Sequence, residues 1–209
     1  MIKTTLLWVW FCTFFIACYS NKQLAYSSGN HLNDTLIQNI NKSKSDNVQT
    51  ANSTLKKWAK QNDLIIAFAT LNYAWTRKGT YYVFTCKNNQ WKLYSYQVKL
   101  NAVSDSAIQI TSIKIPDSEA ENIKRLYASS QLWKTSGDER GNFCNDNKDC
   151  NITDAETWTL SVATPENIHT TTYYAPEFFE GCCPGNPYRQ QFVTIAKEIE
   201  KIASNINSM

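Results

Sequence analysis

Three closely spaced runs of β-branched and aromatic residues constrain the fold of this chain most strongly. They cover Leu64–Asn72, Thr80–Lys87 and Gln90–Leu100, and Asn88-Asn89 lies between the last two. Residues of these types fit the pleated, half-buried surface of a sheet, and an Asn-Asn pair suits a two-residue hairpin turn with positive φ. The pattern therefore predicts an antiparallel meander.

The rest of the chain adds strands and helices to this meander. Pro116 precedes a segment in which Ser118 and Glu121 match a helical capping box, and Asn186-Pro187 precedes a segment whose apolar residues repeat every three to four positions. Strands followed by helices predict a single α+β domain, with an antiparallel meandering sheet and helices packed on one face. The further predicted strands are Ala107–Ile115, Glu156–Ala163 and Ile168–Tyr174, and a short helix is expected from Thr54 to about Gln61.

The amino-terminal segment predicts export. Lys3 precedes Thr5–Ala17, a nearly unbroken apolar run of 13 residues. Crossing the hydrocarbon core of a membrane takes roughly 20 apolar residues, so a run of this length indicates a signal peptide rather than a transmembrane helix. Residues 1–17 are therefore expected to be removed outside the cytoplasm.

The end of that run, Phe15-Ile16-Ala17-Cys18, resembles the lipobox of bacterial membrane lipoproteins. The resemblance covers this targeting segment only, and Phe15 stands where leucine is usual. It implies that Cys18 becomes the mature amino terminus, carries palmitate-type acyl chains and anchors the protein to a membrane of the cell envelope, facing the periplasm or the cell exterior. Cleavage without lipidation, which yields a soluble secreted protein, is the alternative.

Residues 18–53 are rich in Asn, Ser, Lys and Gln, and their few apolar residues are too scattered for a long buried face. This composition predicts a lipidated amino terminus followed by a flexible tether with a reach of roughly 30 to 35 Å. Residues 54–209 are then the globular α+β domain, which is long enough to bury a sizeable core.

Charge and missing motifs exclude several functions. The formal net charge of +3, from 21 basic and 18 acidic residues, is too small for a dedicated nucleic-acid-binding protein. The sequence holds no phosphate-binding loop, no Gly-x-Ser-x-Gly elbow and no recognisable pair of glycosidase carboxylates. We therefore expect no cofactor. We favour a domain that binds another macromolecule, with a protein as the partner, over an enzyme, and an inhibitor, an immunity-type factor or an accessory factor fits this role.

The cysteines of an exported domain are expected to form disulfides. With Cys12 and Cys18 in the targeting segment, an odd number remains, and sequence alone does not fix the pairing. Spacing favours a bridge between Cys144 and Cys150, and a strand cysteine can meet either member of the vicinal pair. The remaining thiol is either buried and inert or half of a vicinal bridge. The candidates are Cys86, Cys144, Cys150, Cys182 and Cys183.

Metal binding is not expected. The vicinal cysteines lack Cys-x-x-Cys spacing, which disfavours a zinc site. An Asx-rich stretch partly matches a calcium loop, but Cys150 occupies the position of the glycine that makes the sharp turn. A solvated turn explains this stretch better. The residues that match calcium-ligand positions are Asn145, Asn147, Asp149 and Glu156.

Two alternatives to a binding module for macromolecules stay open. A thiolate of Cys182 or Cys183 with His169 as its base makes an envelope enzyme conceivable, although the sequence indicates no third orienting residue. The tryptophans allow a glycan-binding module, in which an exposed indole stacks on a sugar ring, although most tryptophans are expected in the core. The indoles considered are those of Trp75, Trp91 and Trp133.

The segment Ala175–Asn186 is a long insertion between a strand and a helix, and such segments often carry binding residues. Phe178 and Phe179 are adjacent, and neighbouring side chains rarely both point inward. One of the two rings is therefore expected to be an exposed anchor for a partner. The charged residues expected beside that anchor are Glu177, Glu180 and Arg189.

Overall fold

A computed structural model describes residues 36–40, 52–100, 107–138 and 150–207. The chain divides into two units between Leu36 and Ile37. The signal segment, Cys18, Cys144 and three of the calcium candidates, Asn145, Asn147 and Asp149, lie outside the described residues. A helical segment, α1, covers residues 36–40 at the boundary between the units.

The predicted α+β fold is confirmed. The elements are α2 (Asn52–Ala59), β1 (Leu64–Asn72), β2 (Lys78–Lys87), β3 (Gln90–Lys99), β4 (Ala107–Ile113), α3 (Asp117–Ser129), a 3₁₀ turn (Leu132–Lys134), β5 (Gly137–Asp138), β6 (Thr157–Ala163), β7 (Ile168–Tyr174), α4 (Pro176–Cys182) and α5 (Pro187–Asn207). The strand order is β4-β3-β2-β1-β6-β7-β5. Six strands are antiparallel, and the two-residue β5 pairs with β7 in parallel.

The two long helices, α3 and α5, pack on one face of the sheet. Phe192 of α5 contacts the ring of Tyr173 on β7, with centroids 4.9 Å apart. On α3, Glu121 accepts a hydrogen bond of 3.2 Å from the indole N–H of Trp91 on β3. Trp91 and Tyr173 project from the same face because side chains alternate along each strand. This face therefore holds the larger core.

The expectation that the helices pack on one face holds for α3 and α5 but is wrong for α2. This short helix packs on the opposite face, where Leu55 and Ala59 join a buried cluster with Ile65 and Val83. Its Trp58 lies edge-on to Tyr94 of β3, with ring centroids 5.0 Å apart. The central strand β1 is consequently buried on both sides from Leu64 to Ala69. This accounts for its continuous apolar sequence, since a strand covered on both faces needs no polar alternation.

Two local expectations differ from the structure. The capping box at the start of α3 is wrong, because the N-cap is Pro116 with no side-chain cap and Glu121 instead pairs with Lys124 at 2.7 Å. Within the expected tether, residues 36–40 are helical, and Ile40 is buried. The Ile40 carbonyl accepts a 2.7 Å hydrogen bond from the Asn167 side chain, so this part of the segment is ordered by the domain.

Candidate functional site

The two adjacent phenylalanines of α4 have different environments. Phe178 is 36% exposed, whereas Phe179 is 7% exposed, and their rings meet edge to face at 5.3 Å. α4 begins directly after β7, where Ala175 adopts φ 44° and its N–H donates to the Glu156 carbonyl at 2.9 Å. The fold thus presents the Phe178 ring to solvent on a tethered helix. Its contact with a partner stays a prediction.

Arg189 and Glu180 join α4 to α5 rather than flanking an exposed anchor. Arg189 is 1% exposed, and its Nε donates to Glu180 Oε2 at 3.1 Å. It also donates to the Cys183 carbonyl, while Gln190 donates to the second Glu180 oxygen at 2.8 Å. The expectation that Arg189 flanks the exposed anchor is therefore wrong, because its guanidinium is buried between α4 and α5, where it donates to Glu180 and to the Cys183 carbonyl. Glu177, in contrast, is exposed and pairs with Lys197.

The described disulfide joins Cys150 to Cys182. The bridge favoured by spacing, between Cys144 and Cys150, is therefore wrong, and so are the vicinal bridge and a bridge from Cys86. The sulfurs of Cys150, Cys182 and Cys183 lie within 4.8 Å of one another. Oxidation of the first two removes the thiolates that a metal would need.

The free thiol among the described cysteines is Cys86, which is buried at the end of β2. Burial, opposed by Lys124 and reinforced by Asp63, raises its pKa to about 11. We expect Cys86 to react with a disulfide reagent at pH 8 at least about 100-fold more slowly in the folded protein than in guanidinium, because few thiols are ionised and none is accessible. A Cys86→Ala variant identifies its signal, and equal rates in both states would show that the site opens.

His169 has a structural role. It is 4% exposed, and its Nε2 lies 2.9 Å from the Leu132 carbonyl oxygen and 3.0 Å from that of Thr135. Both neighbours are acceptors, so Nε2 carries the proton and donates. This fixes the 3₁₀ turn on β7. Cys182 and Cys183 are both disulfide-bonded, so neither supplies the thiolate that was expected to have His169 as its base.

The tryptophans proposed for glycan stacking also differ in exposure. Trp91 is 4% exposed and belongs to the core, and Trp133 is intermediate. Trp75 is 77% exposed, at the tip of the β1–β2 hairpin. The tip is held in shape because Asn72 Oδ1 accepts hydrogen bonds from the Trp75 N–H at 2.9 Å and the Thr76 N–H at 3.2 Å. Trp75 is thus displayed on a shaped turn.

The large apolar side chains that are exposed in the described part of the chain are Tyr73, Trp75 and Phe178. All three lie at the same end of the sheet. Leu71 near the end of β1 pairs with Thr157 at the start of β6, and Thr157 pairs with Tyr174 at the end of β7, just before α4. The ends of β1 and β7, which lead into the β1–β2 tip and into α4, are therefore about 10 Å apart across the sheet. We call this surface the aromatic end.

Charged residues border the aromatic end on its two sides. On the β2 and β3 side, Lys78 and Lys99 are paired residues of adjacent strands, and both are exposed, as is Arg77. The sequence from Leu64 to Leu100 contains no acidic residue. We call these three residues the basic side.

On the β6 and β7 side, three carboxylates lie close together. Glu200 is half-buried, and its burial is the largest cause of its raised pKa. The exposed carboxylates of Glu177 and Glu156 raise this pKa further. Glu200 in turn contributes, after burial, to a raised pKa of Tyr82. Lys197 partly offsets this charge through its 2.7 Å ion pair with Glu177. We call the three glutamates the acidic side.

Clefts elsewhere on the described surface show no catalytic arrangement. One of about 260 Å³ lies between α3 and α5, with Leu126, Gln191 and Ile195 in its lining. Another, of about 250 Å³, lies between α2 and the β6–β7 turn and includes Lys56 and Glu166. The first cleft has no histidine, lysine or carboxylate among its described lining residues. The second includes Thr164, whose hydroxyl donates to the Asn167 carbonyl at 3.4 Å. The exposed aromatic side chains lie outside both clefts, so the aromatic end is the stronger candidate for binding.

Sequence reasoning found the members of the aromatic end separately but not their convergence. Trp75 entered as a sugar-stacking residue and Phe178 as a protein anchor, and they are more than 100 residues apart. Only the register of β1, β6 and β7 brings them to one edge. Sequence reasoning missed Tyr73, although its position two residues before Trp75, between two predicted strands, was a local signal.

Comparisons with known proteins find no matching family model and no significantly similar curated protein. Among the described residues, no helix combines the length and apolar character needed to cross a membrane. The class that fold and surface define is an α+β domain with an exposed aromatic end. Its function must be inferred from its own residues.

Proposed function

We propose that this protein is a cell-envelope lipoprotein whose α+β domain binds another macromolecule, with a protein as the partner, through the aromatic end. The observation that carries the proposal is the collection of the exposed large apolar side chains, Tyr73, Trp75 and Phe178, at one end of the sheet. Scattered exposed apolar residues are ordinary, whereas a group on one surface indicates an interaction site. An inhibitor, an immunity-type factor or an accessory envelope component each fits this role.

Charges of both signs support a protein partner. Interfaces between proteins combine aromatic anchors with a charged rim that sets orientation. A surface for nucleic acid or for an anionic membrane needs one sign of charge, yet the aromatic end has Lys78 on one side and Glu156 on the other. A sugar-binding site needs a concave cleft beside the indole, and the described clefts lie elsewhere.

Membrane attachment rests on the targeting segment and has its own test. A Cys18→Ser variant is expected to lose incorporation of labelled palmitate and to move from the membrane to the soluble fraction of the envelope. Mass spectrometry of the native protein checks the same point, because a retained Met1 would contradict both export and lipidation.

Partner binding is tested by photo-cross-linking in intact cells. A cross-linking amino acid replaces Thr76, which is exposed beside Trp75, and in a matched control it replaces Lys87 at the opposite end of β2. We expect a discrete protein adduct at 76 and none at 87. Trp75→Ala with Phe178→Ala should reduce the adduct about tenfold or more, because buried aromatic anchors carry much of an interface's energy. No adduct at 76, or equal adducts at both positions, would refute the proposal.

A further inference from the structure

The two charged sides of the aromatic end are arranged symmetrically about β1. Lys78 pairs with Asn72, the last residue of β1, from the β2 side. Glu156 directly precedes Thr157, the β6 partner of Leu71, and thus lies beside Asn72 from the other side. Each is one strand spacing, about 4.8 Å, from β1.

The next positions outward repeat this opposition of charge. Lys99 of β3 lies beyond Lys78, since the two are paired across adjacent strands. Glu177 lies beyond Glu156, because α4 follows β7 and the Ala175 N–H donates to the Glu156 carbonyl. The order across the end is therefore basic, basic, aromatic tip, acidic, acidic. Such a pattern becomes complementary to itself when one copy is rotated by 180° against another.

We infer that the partner of the aromatic end is a second copy of this chain, bound across a two-fold axis that lies in the interface along the end of β1. This inference rests on the proposed function, since it identifies the occupant of the same surface. In this arrangement Lys78 of each copy faces Glu156 of the other, and Lys99 faces Glu177. Trp75 meets its own symmetry mate at the centre, as an isologous interface requires.

The pairing of Lys78 with Lys99 within one copy supports this arrangement. Like charges directly opposite on adjacent strands are destabilising, and none of the residues from Leu64 to Leu100, which form β1 to β3, is acidic. The acidic side of the second copy would place carboxylates opposite these lysines. In return, Glu156 and Glu177, which both raise the pKa of Glu200, each face a lysine of the other copy, so like charges on both sides are relieved by the same contact.

A charge-exchange experiment tests the inference on the full-length chain in its own membrane. Two copies with different tags are co-expressed, each with the cross-linking amino acid at position 76, and adducts that contain both tags are counted. Lys78→Glu in both copies, or Glu156→Lys in both copies, should reduce these adducts about tenfold, because each change creates two like-charge contacts. Co-expression of a Lys78→Glu copy with a Glu156→Lys copy should restore them to within about twofold, because both contacts then have opposite charges.

The controls separate this inference from the proposed function. Lys87→Glu, at the other end of β2, should leave the doubly tagged adduct unchanged. Adducts at 76 that contain a different protein and never both tags would refute the self-association and leave the proposed function standing. Loss in both single variants without rescue in the mixture would also refute it, whereas no adduct of any kind would refute both.

Discussion

Glu180→Ala is expected to destabilise the domain by about 2–3 kcal/mol, which lowers the melting temperature by roughly 5–10 °C. The reason is the burial of its partner. Arg189 is 1% exposed, and its Nε lies 3.1 Å from the Glu180 carboxylate. Removal of this carboxylate leaves a buried cation without its ion-pair partner, and water solvates it poorly. Urea unfolding followed by circular dichroism measures the change.

Glu177→Ala is the matched control, because it removes a second ion pair between the same two helices. Glu177 and Lys197 are 2.7 Å apart, but their side chains are 50% and 59% exposed. An exposed pair contributes about 1 kcal/mol or less, so this variant should unfold close to the wild type. Equal losses in the two variants would show that burial of Arg189 does not govern the energetics of this junction.

The strands could be predicted from sequence because their signal is local. β1 and β7 have the predicted limits, Leu64–Asn72 and Ile168–Tyr174. β-branched and aromatic residues define such runs, and turn residues bound them. The start of α3 just after Pro116 was also predicted, but its capping box was wrong, because a capping box is only one use of a glutamate. Here Glu121 accepts hydrogen bonds from the indole N–H of Trp91 and from the buried Lys124 and does not cap the helix.

Pairings between distant segments could not be predicted in the same way. Five residues separate Cys144 from Cys150, and this proximity favoured a local bridge. The fold instead places the end of α4 beside Cys150, in the segment that leads into β6, and Cys150 pairs with Cys182. A short loop has a smaller closure entropy, but the native geometry decides which sulfurs meet.

The arrangement of the candidate site could likewise be predicted from sequence only in part. The sequence indicated that one ring of Phe178 and Phe179 would be exposed, because adjacent side chains diverge, but it did not indicate which. Burial of Arg189 was unexpected because arginine is rarely buried without a partner, and Glu180 supplies that partner only once α4 and α5 are packed. The symmetry of charge about β1 depends on the strand order and on Lys78 and Glu156 reaching its end, which composition does not encode.

The Cys150→Ser, Cys182→Ser double variant is expected to lose about 3–4 kcal/mol of stability, the largest effect among these predictions. The bridge closes a loop with a sequence separation of 32, and cross-linking a loop of that length removes a corresponding entropy from the unfolded chain. Replacing both cysteines leaves no thiol at either position to form a new pair. Urea unfolding measures the loss, and peptide mapping without reductant should recover Cys150 linked to Cys182 in the wild type.

The bridge and the ion pair between Glu180 and Arg189 both hold α4 in place. The bridge holds the end of α4, the helix that presents Phe178, to the segment that leads into β6. The Glu180→Ala variant removes the ion pair that joins the same helix to α5. The triple variant should therefore lose less free energy of unfolding than the sum of the two separate losses, because either change alone already releases part of α4. Full additivity would show that α4 stays docked without the bridge, and an unchanged unfolding midpoint in the double serine variant would show that the bridge does not constrain the unfolded chain.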